Sequence, residues 1–171
     1  MAVTGSLVAI VSAVVGIYFT VWPRTQERSL DAWAREATAV CEQYRGELVA
    51  GYRDATDRIE AAFSEGAGVA PAVAALDDAS NVYRGMVGRI RAIAPPTDSA
   101  DLAKVDAALA ATERLDAAWA TAATLLEQVD PATASMPQLQ GIVDAVDLAA
   151  TVADETSAAF VSVGARSCSI N

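Results

Sequence analysis

Between Ser29 and Gly164 apolar side chains recur every three or four residues, and nowhere do they alternate with polar ones. A period near 3.6 puts such residues on one face of a helix, whereas a half-buried strand needs a period of two, so this stretch is confined to an all-α fold. The first stripe runs through Leu30, Trp33, Ala37, Val40, Tyr44, Leu48, Tyr52, Ala55, Ile59 and Phe63, with Ser29 as its N-cap, and stops at Gly66-Ala67-Gly68. Pro71 suits the first turn of a second helix, whose stripe is Val73, Leu76, Val82, Met86, Ile90 and Ile93 before Pro95-Pro96 ends it. Thr97, Asp98 or Ser99 caps a third, which runs past Leu102, Leu109, Leu115, Trp119 and Leu126 until Pro131 breaks the pattern. A fourth opens near Ser135 with Pro137 in its first turn, and it carries Leu139, Ile142, Val146, Val152, Phe160 and Val163 to a stop at Gly164. Short connections make sequential helices antiparallel, so residues 29–171 are expected to form an up-down-up-down four-helix bundle.

The chain ahead of the bundle has a different character. Residues 2–22 contain no charged side chain and are dominated by Leu, Val, Ile and Phe. At ~1.5 Å per residue they would reach about 30 Å, the thickness of a hydrocarbon core. Tyr18 and Trp22 stand at the exit, where amphipathic rings favour the interface, and Pro23 and Arg24 end the run. Residues 1–23 therefore read as a transmembrane anchor whose partner is the lipid bilayer, and 24–28 as a linker. A cleaved signal peptide is the alternative, but it needs a basic n-region and a small-residue cleavage site. Val11-Ser12-Ala13, the nearest resemblance to such a site, lies in the middle of the apolar run. Within the anchor Ser12 and Gly16 are four apart, as are Ala9 and Ala13, and small residues at that spacing let a second transmembrane helix approach; Ser12 and Gly16 are the candidate contact.

Orientation pits two signals against each other. Arg24, Arg28 and Arg35 follow the span, and flanking Lys and Arg favour the cytoplasm. Against this, long domains translocate largely regardless of flanking charge, and the two cysteines are placed for a disulfide. Cys41 falls about three turns into the first helix and Cys168 just after the fourth, in the polar tail Arg166-Ser167-Cys168-Ser169. In an up-down-up-down bundle the end of helix four returns beside the beginning of helix one, so the pair is expected to meet. Such a bridge implies an oxidising compartment, and the bundle is expected outside the cytoplasm. It is also useful to the fold. Thirty-nine of the 171 residues are alanine, which favours helices and close approach but buries little apolar area. Closing a loop of ~130 residues would add up to ~4–5 kcal/mol in the chain-entropy account.

Composition narrows the function. The chain has no His, which removes the usual general base, the commonest zinc and haem ligand and the partner that activates Ser or Cys nucleophiles. With 22 acidic and 12 basic residues the net charge is −10, opposite to what binding nucleic-acid phosphates requires. Asp77-Asp78, and Asp144 with Asp147 and Asp154, are the densest carboxylates and read as solvated helix surface, since neither group has the oxygen-rich loop of a calcium site. No catalytic, cofactor-binding or metal-binding residue is assigned. Arg84, Arg89 and Arg91, clustered near the end of helix two in an acidic domain, are a candidate docking patch; the alternative is favourable charge at a helix C-terminus. Tyr44, Tyr52 and Tyr83 read as the rim of the bundle core.

The N-terminal apolar segment, the early helical Cys41, Ala94-Pro95-Pro96 after the second helix and the closing Gly164-Ala165-Arg166-Ser167-Cys168 resemble small membrane-anchored or exported helical proteins of high-GC actinobacteria over most of residues 29–168. The lipobox that many of these carry is missing here, so lipidation is not implied. The resemblance implies an anchored extracytoplasmic bundle and assigns no chemistry. The expected role is a single-pass membrane-anchored interaction module, an accessory subunit or partner-binding protein of a cell-envelope complex with a membrane or envelope protein as partner, and not an enzyme. The alternative is a small-molecule or lipid-binding carrier in the envelope.

Overall fold

The computed structural model describes residues 28–169. The anchor expected over residues 1–23, the Ser12 and Gly16 contact within it and all but the last residue of the 24–28 linker lie outside the described residues. Among the described residues there are four helices and no strand: α1 (Leu30–Ser64), α2 (Ala70–Arg91), α3 (Ser99–Glu127) and α4 (Met136–Ser162), followed by a 3-10 turn (Arg166–Cys168). None of these helices is long and apolar enough to cross a membrane.

The termini follow the local chemistry. Ser29 Oγ accepts from the Ala32 N–H, and Asp98 Oδ1 accepts from Ala100 and Asp101, which satisfies N–H groups that a helix start leaves open. Ser135 donates its backbone N–H to Gln138 Oε1, the reciprocal half of a capping box. Pro71 and Pro137 occupy first turns, where the missing N–H costs nothing. Gly66, Gly68 and Gly164 all have positive φ, at 70°, 77° and 88°, the region glycine enters without a Cβ penalty.

Consecutive helices run antiparallel. Gly51 faces Ala79 and Gly85 faces Tyr44 across α1 and α2; Arg84 meets Asp116 and Arg91 meets Glu113 across α2 and α3; Thr156 Oγ1 reaches the Ala111 carbonyl across α3 and α4. The α1/α2 and α3/α4 hairpins are the tightest pairs. At the first, a Cβ on Gly51 would stand 3.2 Å from the Ala79 Cβ. The second is lined by buried Ala108, Ala111, Ala118 and Ala122 facing Ala145 and Ala149. Between the two hairpins the side chains are large: Leu48, Tyr83, Met86, Ile90, Leu115 and Phe160 form one core cluster with Trp33 and the two cysteines. A second, smaller cluster of Ala55, Ala72, Ala75, Leu76, Leu126, Val129 and Ile142 fills the far end. Alanine thus sets the spacing within each hairpin, and Leu, Met and the aromatics set it between them.

Helix lengths depart from the even thirty or so that the stripes suggest. α1 has 35 residues and α2 only 22, so the first turns of α1 overhang the end of α2. The 92–98 connection folds over them: the Thr97 N–H donates to the Arg28 carbonyl at 3.0 Å, and Pro96 is buried.

Candidate functional site

The fourth seam of the bundle, between α1 and α4, is built unlike the other three. Facing α4, α1 presents Cys41, Arg45, Leu48, Val49, Tyr52 and Thr56, which recur at three- and four-residue steps on one side of the helix. The facing side of α4 supplies Ala150, Ala153 and Asp154. Large core residues hold the hairpins apart, and the small Ala150 and Ala153 do not fill the resulting gap. What remains is a groove of about 410 Å³ whose lining includes residues of all four helices, Met86 of α2 and Trp119 of α3 among them. Both volume and position suit ligand sites between the helices of bundles. Val49, 49% exposed, stands on its lip.

One end of the groove is closed covalently. Gly164 turns the chain at the end of α4, with a Schellman-type bond from the Ala165 N–H to the Phe160 carbonyl at 2.9 Å, and its Cα hydrogens lie against α1, where a Cβ would meet that of Ala34 at 3.4 Å. The tail then runs back along α1. Ser167 Oγ donates to Glu42 Oε1 at 3.1 Å, and Cys168 is bonded to Cys41, with Cα atoms 5.0 Å apart and a sequence separation of 127. The expected pairing of the two cysteines is therefore present, and the bridge with Ser167 and Ser169 forms the groove's floor at this end.

Further along, Tyr52 and Trp119 pack with ring centroids 5.2 Å apart and planes tilted by 34°. Trp119 touches both core clusters. The Tyr52 hydroxyl is buried and has no hydrogen-bond partner among the described residues, and the same is true of Tyr83, which is 2% exposed. Burial, and secondarily the negative charge of Asp116, pushes the Tyr52 phenol up to about 12. Tyr83 is raised further, chiefly by burial, with Tyr52 and Asp116 adding to the shift and Arg91 opposing it. Both phenols thus stay neutral donors throughout the physiological range. The rim placement expected for all three tyrosines holds for Tyr44 and Tyr52, which pack partly buried against the core, and fails for Tyr83, which is core.

The arginine cluster is divided by the fold. Arg84 Nε donates to Asp116 at 2.8 Å and Arg91 to Glu113 at 2.7 Å, so these two link α2 to α3, while Arg89 is exposed without an ion pair among the described residues. The candidate docking patch therefore does not present three free guanidinium groups. Of the carboxylates, Asp144 accepts from Gln140, and among the described residues no group of three Cys, Asp or Glu side chains is gathered where it could hold a metal.

Sequence reasoning missed the groove. In the sequence its α1 side is indistinguishable from an ordinary core stripe, and Arg45 from any surface arginine. The available signal is the mismatch between faces: α1 offers Leu48, Val49 and Tyr52, whereas α4 sets against them only Ala150 and Ala153. No family model, curated protein or solved structure matches the chain, so the reading of this site rests on its own geometry.

Proposed function

We propose that the protein is a non-enzymatic binding protein of the cell envelope, held at the membrane by residues 2–22, whose bundle carries a lipid or other small amphiphile in the α1/α4 groove. The observation that carries this reading is the groove itself, apolar along its floor and lined from all four helices. It promotes the carrier role over the accessory-subunit role. The bundle is assigned to the extracytoplasmic side, with support from the Cys41–Cys168 bridge, which persists in oxidising compartments. The likeness of residues 29–168 to small exported actinobacterial bundles points the same way.

A second reading has its own support. Val49 of α1 and Val143 and Val161 of α4 are exposed apolar side chains, and Arg89 is an unpaired cation among the described residues of an acidic bundle. These would suit an accessory subunit docking a membrane or envelope protein, with Ser12 and Gly16 as a contact in the anchor.

One experiment separates the two. The full chain is extracted from its membrane in a polymer nanodisc without detergent, and the purified particle is analysed for lipids and proteins. Enrichment of a defined small amphiphile over the surrounding bilayer supports the carrier. A stoichiometric protein without such enrichment supports the accessory subunit, and a particle with neither overturns both readings. Protease added to intact spheroplasts should remove the bundle while cytoplasmic proteins survive; a fully protected bundle would reverse the topology.

A further inference from the structure

The dimensions of the groove bear on its occupant. From Cys41 to Thr56 is fifteen residue steps, or about 22 Å at ~1.5 Å each, so a volume of about 410 Å³ gives a mean cross-section of about 19 Å². That is room for one extended hydrocarbon chain. A partner helix, at least ~10 Å across with its side chains, would need several times the cross-section and could lie over the open mouth but not sink between α1 and α4. Two acyl chains side by side fail the same test.

The lining supplies the second constraint. Leu48, Met86, Trp119 and Ala153 offer an apolar wall, while charged groups enter at one level only. Gly164 lies beside Ala34; eleven residues along α1 from there is Arg45, and ten residues back along α4 is Asp154, so a cation and an anion stand at matching heights on the two lips. Arg45 has no ion pair among the described residues. Ser167 and Ser169 add hydroxyls at the same, disulfide-closed end.

We propose that the occupant is a single-chain phospholipid with a zwitterionic head, its phosphate on Arg45 and its ammonium beside Asp154, and its one acyl chain running from there along Leu48 and Tyr52 to Trp119. This rests on the carrier reading and narrows it. Guanidinium suits phosphate because its fork of donors matches the oxygens, and a lip with both charge signs selects a head that also has both. A chain with no second tail meets the width of the groove.

The test uses the full chain in nanodiscs of unbrominated two-chain lipid, titrated with a lysophosphatidylethanolamine whose acyl chain is brominated, and reads tryptophan fluorescence. All variants carry Trp22→Phe, because Trp22 at the membrane interface would be quenched by probe dissolved in the bilayer; the expected result is then saturable quenching that Trp119→Phe abolishes, although Trp33 remains. Arg45→Ala should weaken the titration about tenfold, the usual size for losing one charge-assisted contact. Ala153→Leu, which fills the groove, should abolish it, with an unchanged melting temperature showing that the bundle is intact. Quenching that survives in Trp119→Phe would overturn the site. Equal quenching of Trp119 by a brominated alkane or fatty acid, or indifference to Arg45→Ala, would overturn the head assignment while leaving the carrier reading in place. If no brominated probe reaches Trp119 and the purified particle is not enriched in any amphiphile, both fail together.

Discussion

Alanine lines both seams that flank α1, yet one closes and the other opens. Against α2, Gly51 and Ala55 of α1 face Ala75 and Ala79, small against small, and the backbones come as close as van der Waals contact allows. Against α4, Ala150 and Ala153 face Leu48, Val49 and Tyr52, while Met86 and Trp119 fill the space behind and fix how near the hairpins can come. Alanine draws helices together only where the opposite face is also small and nothing large inside props them apart. Where either condition fails, its missing volume becomes a cavity. In this bundle that cavity is then closed at one end by a covalent bridge instead of by packing.

The bridge is the largest single lever on this contrast. A loop of 127 residues restrained by Cys41–Cys168 would be worth up to about 4–5 kcal/mol by the chain-entropy account. The double variant Cys41→Ser, Cys168→Ser is expected to melt more than about 10 °C lower by calorimetry, given ~3–5 °C per kcal/mol for a domain of this size. Acting through the unfolded chain, the loss should accelerate every amide that exchanges by global opening, those at the Gly51–Ala79 contact included, and residues 165–169 and the first turns of α1, which the bridge also holds in place, should gain a further local acceleration. Uniform acceleration would show that the open seam has no separate stability. In the unmodified protein, alkylation without reduction should label neither thiol.

A matched pair of substitutions asks the same question of packing. Ala79→Leu pushes three carbons into a seam with no space and should cost about 1–3 kcal/mol, as overpacked cores do. Ala150→Leu places the same three carbons beside the groove at an exposed position, and its stability should stay within about 0.5 kcal/mol of the parent while amphiphile binding falls. Equal costs at the two sites, measured by chemical denaturation, would mean that the seams are not different in kind.

Most of the fold was legible because its signals are local. Ser29, Asp98, Ser135, Pro71, Pro137 and Gly164 each act within one helical turn of themselves, and they mark the ends of the helices that form. The pairing of Cys41 with Cys168 followed from helix count and direction alone. The groove was not legible, because it depends on which large side chains occupy the centre and so on the distance between hairpins, which no single stripe encodes. Trp119 and Tyr52 look like any core aromatic in the sequence, and the empty space beside them belongs to Ala150 and Ala153, on another helix. The arginine cluster was visible, but its partners Asp116 and Glu113 lie on α3 at 32 and 22 residues' separation.

Tyr52 gives a smaller effect, visible mainly in alkali. Its phenol is neutral in the fold up to about 12, whereas in the unfolded chain it ionises near 10. Below ~10 both states hold the proton and pH is without effect; between 10 and 12 the unfolded state gives it up first, so stability falls as pH rises. Tyr83 extends the same loss to higher pH. At neutral pH, Tyr52→Phe removes a buried hydroxyl that has no partner among the described residues and should change stability by less than about 1 kcal/mol, in the stabilising direction. Between pH 10 and 12 the variant should lose less stability than the parent does. Identical alkaline denaturation curves would mean that Tyr52 is as open to solvent in the fold as in the unfolded chain, and the groove floor would have to be redrawn.

The smallest effect is expected at the third seam, where α2 and α3 are linked at their surface by Arg84–Asp116 and Arg91–Glu113. These pairs stand at the position opposite the groove, on the other side of the bundle, and they are the polar counterpart of the disulfide: a clasp on a gap that large core residues keep wide. The arginine side chains are about half exposed, at 50% and 44%, so water and salt screen most of their attraction. Arg84→Ala and Arg91→Ala should therefore each cost only a few tenths of a kcal/mol, within the 0–1 kcal/mol usual for surface pairs, and the cost should shrink further in 1 M salt. A double-mutant cycle with Asp116→Ala isolates the coupling. A salt-resistant coupling well above ~1 kcal/mol would mean that the seam is held by this clasp and not by the core behind it, in which case breaking it should widen the cleft of about 200 Å³ that already lies there beside Tyr83, Val87 and Thr112.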